Sequence, residues 1–193
     1  MAVMEHEMTL ADAAERLWDV LPGHRVEILN GSIVVTPPAD GPHQETLTEL
    51  IVACHEAGGK QAGLKCLPGV GLWLPTGRDD YAIPDFALLD ADYRDALVEK
   101  DCYAPHVFRM VLEVTSSNWA NDLVTKVETY AEARVPVYVV VDRKHGHVLV
   151  LSDPDGKEYR TSSKCPRGAK VRLPKSIGIE LELDADTLLD GEA

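Results

Sequence analysis

The sequence predicts a mixed α/β (α+β) fold: a central mixed β-sheet flanked by helices, preceded by a helix and a β-hairpin. Three observations carry that expectation. Asn30-Gly31 separates two short apolar runs, residues 25–29 and 32–36, and Asn-Gly supplies the two positive φ angles of a type I′ turn. Largely apolar, valine-rich runs over 107–115 and 137–141 read as buried strands. The stretch between them, 118–133, reads as a helix, and such a strand–helix–strand unit is expected to cross over right-handedly. The 193 residues are expected to form one domain over 1–193, long enough to bury a core, with an acidic tail over about 184–193.

Each element has a local cause. Thr9 and Asp12 form a capping-box variant that opens an amphipathic helix to about residue 21. Pro37-Pro38 ends the hairpin. Leu47, Leu50, Ile51 and Cys54 share one face of a helix over 43–57, which Gly58-Gly59 stops. Strands are expected over 64–67, 70–74 and 82–89, then a short helix or loop in the polar interval 90–105. The run 107–115 should be central. Strands over 147–151, 158–161 and 177–183 alternate polar and apolar residues and read as half-exposed antiparallel additions.

Composition excludes several classes. No stretch approaches the roughly 18 apolar residues of a membrane span. The N-terminus carries Glu5 and Glu7 where a signal peptide would be basic, so a cytoplasmic protein without membrane partners is expected. Cys54, Cys66, Cys102 and Cys165 lie far apart, without the close pairs of a structural zinc site, and read as reduced thiols. The net charge of −13 opposes general binding to nucleic acid. Residues 157–175 are locally basic, however. Arg160, Lys164, Arg167 and Lys170 are candidate phosphate contacts, or alternatively a solvated loop and strand edge.

Two acids stand out. Asp85 follows Pro84 at the head of Phe86, Ala87, Leu88 and Leu89, and Glu113 lies within the central run. A carboxylate in such a setting needs a partner or a metal. Adjacent strands are about 4.8 Å apart, so the two acids can share Mg²⁺ or Mn²⁺, with the carbonyl of Val114 as a further ligand. Lys126, on the following helix, would orient a water or stabilise charge on phosphoryl oxygens. Two strand-borne acids and a helical lysine suit metal-assisted cleavage of a phosphodiester.

At Pro84-Asp85, Glu113-Val114-Thr115-Ser116, Asp122, Lys126 and Tyr130, the chain resembles the Uma-type putative restriction-endonuclease family of the PD-(D/E)XK nuclease superfamily. Residues 26–31 resemble the family's N-terminal hairpin, and His43 the histidine opening its next helix; the likeness runs from about 27 to 142. The resemblance implies a restriction endonuclease-like core with Asp85 and Glu113 as metal ligands and Lys126 as the catalytic cation. One departure is clear. The superfamily lysine stands two residues after the glutamate, where this chain has Thr115, and the resemblance places it at Lys126 instead.

Supporting roles stay open. Glu27 reads as an extra acid or as hairpin surface, and His43 as a group behind the site or a polar helix start. Tyr130 orients Lys126 or packs in the core, and Asp122 with Lys126 is also a possible exposed pair worth only about 0.3–0.5 kcal/mol. His145 and His147 in a turn, without a third ligand, are weak evidence for zinc. The expected function is a Mg²⁺- or Mn²⁺-dependent endonuclease acting on DNA. The alternatives are an inactive binding or assembly module of the same fold, and a phosphodiesterase acting on RNA or a small nucleotide. Cutting both strands of a duplex calls for two sites, so a homodimer is the expected assembly.

Overall fold

The structure, a computed structural model, describes residues 8–115 and 124–191. Helix α1 (Leu10–Val20) opens on the expected capping box: the Thr9 hydroxyl accepts from the Asp12 N–H, and the Asp12 carboxylate accepts from the Thr9 N–H. The hairpin follows as β1 (Arg25–Leu29) and β2 (Ser32–Thr36), turning on Asn30 and Gly31 with φ of 49° and 70°. Asp40 caps α2 (Gly41–Glu56) by accepting from the His43 N–H.

The remaining elements are β3 (Leu64–Pro68), β4 (Gly71–Trp73), β5 (Tyr81–Ala82), β6 (Phe86–Asp90), β7 (Leu97–Glu99), β8 (Cys102–Tyr103) and β9 (Phe108–Val114). They continue with α3 (Lys126–Glu132), β10 (Val137–Asp142), β11 (His147–Asp155), β12 (Glu158–Pro166), β13 (Lys170–Arg172), β14 (Glu182–Asp184) and α4 (Ala185–Asp190). One sheet runs β2-β1-β5-β4-β8-β7, the other β12-β11-β10-β9-β6-β3, and β13 pairs with β14. As expected, β9 is central, parallel to β10 and antiparallel to β6. From Met110 on, its side chains alternate between two apolar clusters, Met110, Leu112 and Val114 in one and Val111 in the other, and an irregularity in the pairing with β6 puts Phe108 with Val111. No helix among the described residues is long and apolar enough to cross a membrane, and all four cysteines are free thiols.

Three expectations are corrected. The strand expected over 82–89 is split, because Pro84 has no N–H to give a ladder; β5 belongs to one sheet, β6 to the other, and Asp85 sits in the break. The interval 90–105 holds a 3₁₀ turn followed by β7 and β8, strands too short to show alternation. The strand expected over 177–183 is limited to β14, because Lys175–Ile177 forms a 3₁₀ turn ended by Gly178 at φ 94°. The helix expected over 118–133 is described from Lys126 to Glu132; Ser116 and Asp122 lie outside the described residues.

Residues 185–190 of the acidic tail form α4. In α4, Leu188 and Leu189 are buried, and the Leu188 carbonyl accepts from the Thr46 hydroxyl of α2 at 3.0 Å. Leu188→Ala is therefore expected to destabilise the protein by about 2–5 kcal/mol, read as a fall in urea midpoint, where a solvated tail would lose nothing measurable.

Candidate active site

The break at Pro84-Asp85 brings the two sheets together, and acids from both meet there. Glu27, two residues after Arg25 on β1, turns inward, and its Oε1 accepts from the Ile83 N–H at 2.8 Å. Asp85 Oδ2 accepts from the Val114 N–H at 2.7 Å, where the β6–β9 ladder begins, and Oδ1 accepts from Arg25 Nη1 at 2.5 Å. His43 Nε2 lies 3.4 Å from Asp85 Oδ2. Glu113 Oε1 accepts from Lys126 Nζ and from the Tyr130 hydroxyl, each at 2.7 Å. Lys126 and Tyr130 are one turn apart on α3 and so share a face. Lys126 Nζ also lies 3.3 Å from Glu27 Oε1.

These groups are nearly sealed from water: the exposed fractions are 0% for Glu27, 1% for Glu113, 2% for Lys126 and 6% for Asp85. Buried charges must be paired. Among the described residues, three carboxylates face two basic side chains, Arg25 and Lys126, an excess of one acid when His43 is neutral. Lys126 is thus a buried ion-pair partner, not a residue of an exposed helix face.

Titration follows from the same contacts. Burial pushes the Asp85 carboxyl up, but the His43 hydrogen bond and the charges of Arg25, His43 and Lys126 outweigh it and hold it well below the usual carboxylate range. Burial and the nearby Glu113 and Glu27 charges push the Tyr130 hydroxyl well up, so it stays a donor to Glu113. Burial lowers the Arg25 pKa, but Glu113, Glu27 and Asp85 more than offset this and raise it.

A depressed carboxylate contributes stability that is fully present above its unfolded pKa, about 3.9, and lost as pH falls below that toward the folded value. In the metal-free protein, Asp85→Asn is therefore expected to flatten the loss of urea midpoint as pH falls below about 4. An acid limb identical to that of the parent would remove Asp85 from this linkage.

A cavity of about 510 Å³ opens on the site, lined by Arg25, His43, Gln44, Asp85, Val114 and Arg143 among others. Glu27, Glu113 and Lys126 lie behind it. Arg143 was not apparent from sequence. Its N–H donates to Thr115 Oγ1 at 3.2 Å and its Nη1 to Asp40 at 2.9 Å. Arg25 was also missed, although a residue two positions before Glu27 on a strand points to the same face.

The structure joins Glu27, His43, Asp85, Glu113, Lys126 and Tyr130. It does not bring the basic segment to them. Arg160 pairs with Asp155, Arg167 with Asp190 and Lys170 with Asp184, Lys164 is exposed on β12, and none of the four lines the cavity. His145 Nδ1 and His147 Nε2 gather on Asp142 Oδ2 at 2.8 and 3.6 Å. Among the described residues, no group of three His, Cys, Asp or Glu stands ready to hold a metal. The oxygen donors of Glu27, Asp85 and Glu113 nevertheless suit a hard divalent cation, and Glu27 Oε2 is buried with no hydrogen-bond partner among the described residues.

Comparison with known proteins matches residues 13–186 to the Uma2 family, described as "Putative restriction endonuclease". The chain belongs to the Uma2 family. The Uma2 match includes every residue of the buried cluster. A solved structure, a putative nuclease belonging to DUF820 from Anabaena variabilis ATCC 29413, is similar in fold, with a TM-score of 0.64 and 16% identity over 87% of this chain and 91% of that one. No curated protein matches. At the level of the Uma2 family, the chain is thus of nuclease type, with a nuclease-like mixed α/β fold.

Proposed function

We propose that the chain is a metal-dependent endonuclease that hydrolyses phosphodiester bonds of DNA, with Asp85 and Glu113 holding Mg²⁺ or Mn²⁺. The observation that carries this reading is the buried set of three carboxylates, Glu27, Asp85 and Glu113, beside a cavity that Asp85 lines. Stability alone does not call for such a set, since buried ion pairs are often neutral or costly against apolar replacements. A divalent cation there supplies positive charge for the phosphoryl oxygens and makes the attacking water more acidic.

The protein's own groups do the rest. The Val114 N–H fixes the Asp85 carboxylate, and Tyr130 and Lys126 fix Glu113, so both ligand acids are preorganised. Lys126 would orient the attacking water as the water oxygen bonds to phosphorus and the phosphorus–oxygen ester bond breaks, the water's proton passing to solvent and the leaving oxygen taking one from solvent. His43 and Arg143, at the cavity wall, are placed to meet the substrate phosphate. The carbonyl of Val114 is an additional proposed ligand, and a homodimer would supply the second site for a second strand.

A second reading, a phosphodiesterase acting on RNA or a small nucleotide, is favoured by the net charge of −13 and by the carboxylates that hold Arg160, Arg167 and Lys170. These pairs are exposed and screened by solvent, so phosphate can replace the carboxylates. Neutralising Arg160, Lys164, Arg167 and Lys170 together is expected to flatten the log–log salt dependence of duplex binding by about 0.9 per lost contact. An unchanged slope removes this segment from DNA binding.

The function itself is tested by incubating the protein with supercoiled plasmid, single-stranded DNA, RNA and a cyclic dinucleotide, each with Mg²⁺, Mn²⁺ or chelator. Metal-dependent cutting of the DNA substrates is the expected result. Cleavage confined to RNA or the dinucleotide supports the second reading, and cleavage of none supports the inactive module.

A further inference from the structure

Arg25 stands where the proposed cation has to go. Its guanidinium spans all three acids, donating to Asp85 Oδ1 at 2.5 Å and lying 3.7 Å from both Glu113 Oε2 and Glu27 Oε2. It also stands in the way in. Arg25 and Asp85 line the cavity, whereas Glu27 and Glu113 lie behind them and are all but inaccessible.

The fit is good in charge and poor in hydrogen bonding. Arg25 Nε and Glu27 Oε2 face each other at 3.7 Å, and both are buried without a hydrogen-bond partner among the described residues. Native structures rarely leave such buried atoms unpaired, because each has given up its water without gaining a partner. A guanidinium with a fixed planar fork cannot serve three carboxylates at once, whereas a spherical cation can. Arg25 also has a way out: 20% of its side chain is exposed.

The charge count points the same way. Among the described residues, Arg25 and Lys126 leave the three acids with one negative charge when His43 is neutral. Exchanging Arg25 for a divalent cation brings the cluster to neutrality, while keeping both would leave it positive.

We propose that Arg25 is a resident counter-cation, which neutralises the acids in the metal-free protein and leaves for the cavity when a divalent cation enters. There it joins His43 and Arg143, three groups able to bind a substrate phosphate. Metal loading and the exposure of a phosphate-binding arginine thereby become one event. The inference rests on the metal-dependent reading above.

The test is Mn²⁺ affinity, followed by electron paramagnetic resonance, in the parent protein and in Arg25→Gln. Competition by the side chain lowers the parent's apparent affinity by the fraction of time the site is open, so Arg25→Gln is expected to bind Mn²⁺ about tenfold more tightly if that fraction is near a tenth. It should also melt lower than the parent in chelator and gain more from added Mn²⁺. Equal or weaker binding by Arg25→Gln, with the parent still binding, overturns the exchange and leaves the metal reading intact. No binding by either protein overturns both.

A measurement on the unmodified chain covers the case in which the variant does not fold. In a Mg²⁺ titration followed by arginine ¹⁵Nε resonances, one shifted signal is expected to move to the position of solvent-exposed arginines as the metal saturates. Saturation with every arginine signal unmoved contradicts the proposal.

Discussion

Glu113→Gln is expected to lower metal-dependent cleavage by on the order of 10³-fold, about 4 kcal/mol of transition-state stabilisation, while the protein stays folded. The amide keeps an acceptor for Lys126 Nζ and the Tyr130 hydroxyl, which both donate to Glu113 Oε1. It removes the negative charge that would hold the cation. Glu113→Ala is the less informative variant: it strips the Tyr130 hydroxyl and Lys126 of a buried acceptor, and breaking a buried ion pair costs about 3–5 kcal/mol. Rates from folded Glu113→Gln, with folding checked by urea unfolding, are the appropriate readout. Full activity in this variant would show that Glu113 is held for structure.

Lys126→Met should also be nearly inactive, but for a different reason. Its ammonium lies 2.7 Å from Glu113 and 3.3 Å from Glu27. A group that supports the water or the developing charge acts in the transition state, and losing it lowers turnover by about 10²–10⁴. Metal affinity should hold or rise, because the carboxylates remain and a competing positive charge is gone. The variant should be less stable in chelator by about 3–5 kcal/mol, since two buried carboxylates lose the nearer of the two basic side chains they face, and Mn²⁺ should restore much of that loss. Parallel losses of metal affinity and rate would instead make Lys126 a structural lysine.

Much of this cluster was legible in the sequence because it breaks local rules. A carboxylate within the apolar run that became β9, and another behind a proline, conflict with burial unless something neutralises them, and Asn30-Gly31 announces the hairpin that carries Glu27 inward. Other parts depend on pairings distant in sequence. Nothing near Arg25 shows that β1 lies beside β5, which is what brings its guanidinium to Asp85. The basic run after residue 157 looks unpaired in the sequence, whereas Lys170 stands opposite Asp184 and Arg172 opposite Glu182 across the β13–β14 ladder. Likewise, the leucines of α4 read as part of an acidic tail because their partner, α2, lies far upstream. Short strands such as β7 and β8 escape notice because two or three residues cannot display a period.

The central claim, that these acids form a cation-dependent cleavage site, is tested most directly by the rate of plasmid nicking as a function of Mn²⁺ concentration for the parent protein and Asp85→Asn in parallel. The asparagine can still accept from the Val114 N–H, so the local backbone is kept. A rate that rises to saturation with Mn²⁺ in the parent, is abolished by chelator and is absent in Asp85→Asn is the predicted result. Nicking that ignores chelator, or that Asp85→Asn performs as fast as the parent, would contradict it.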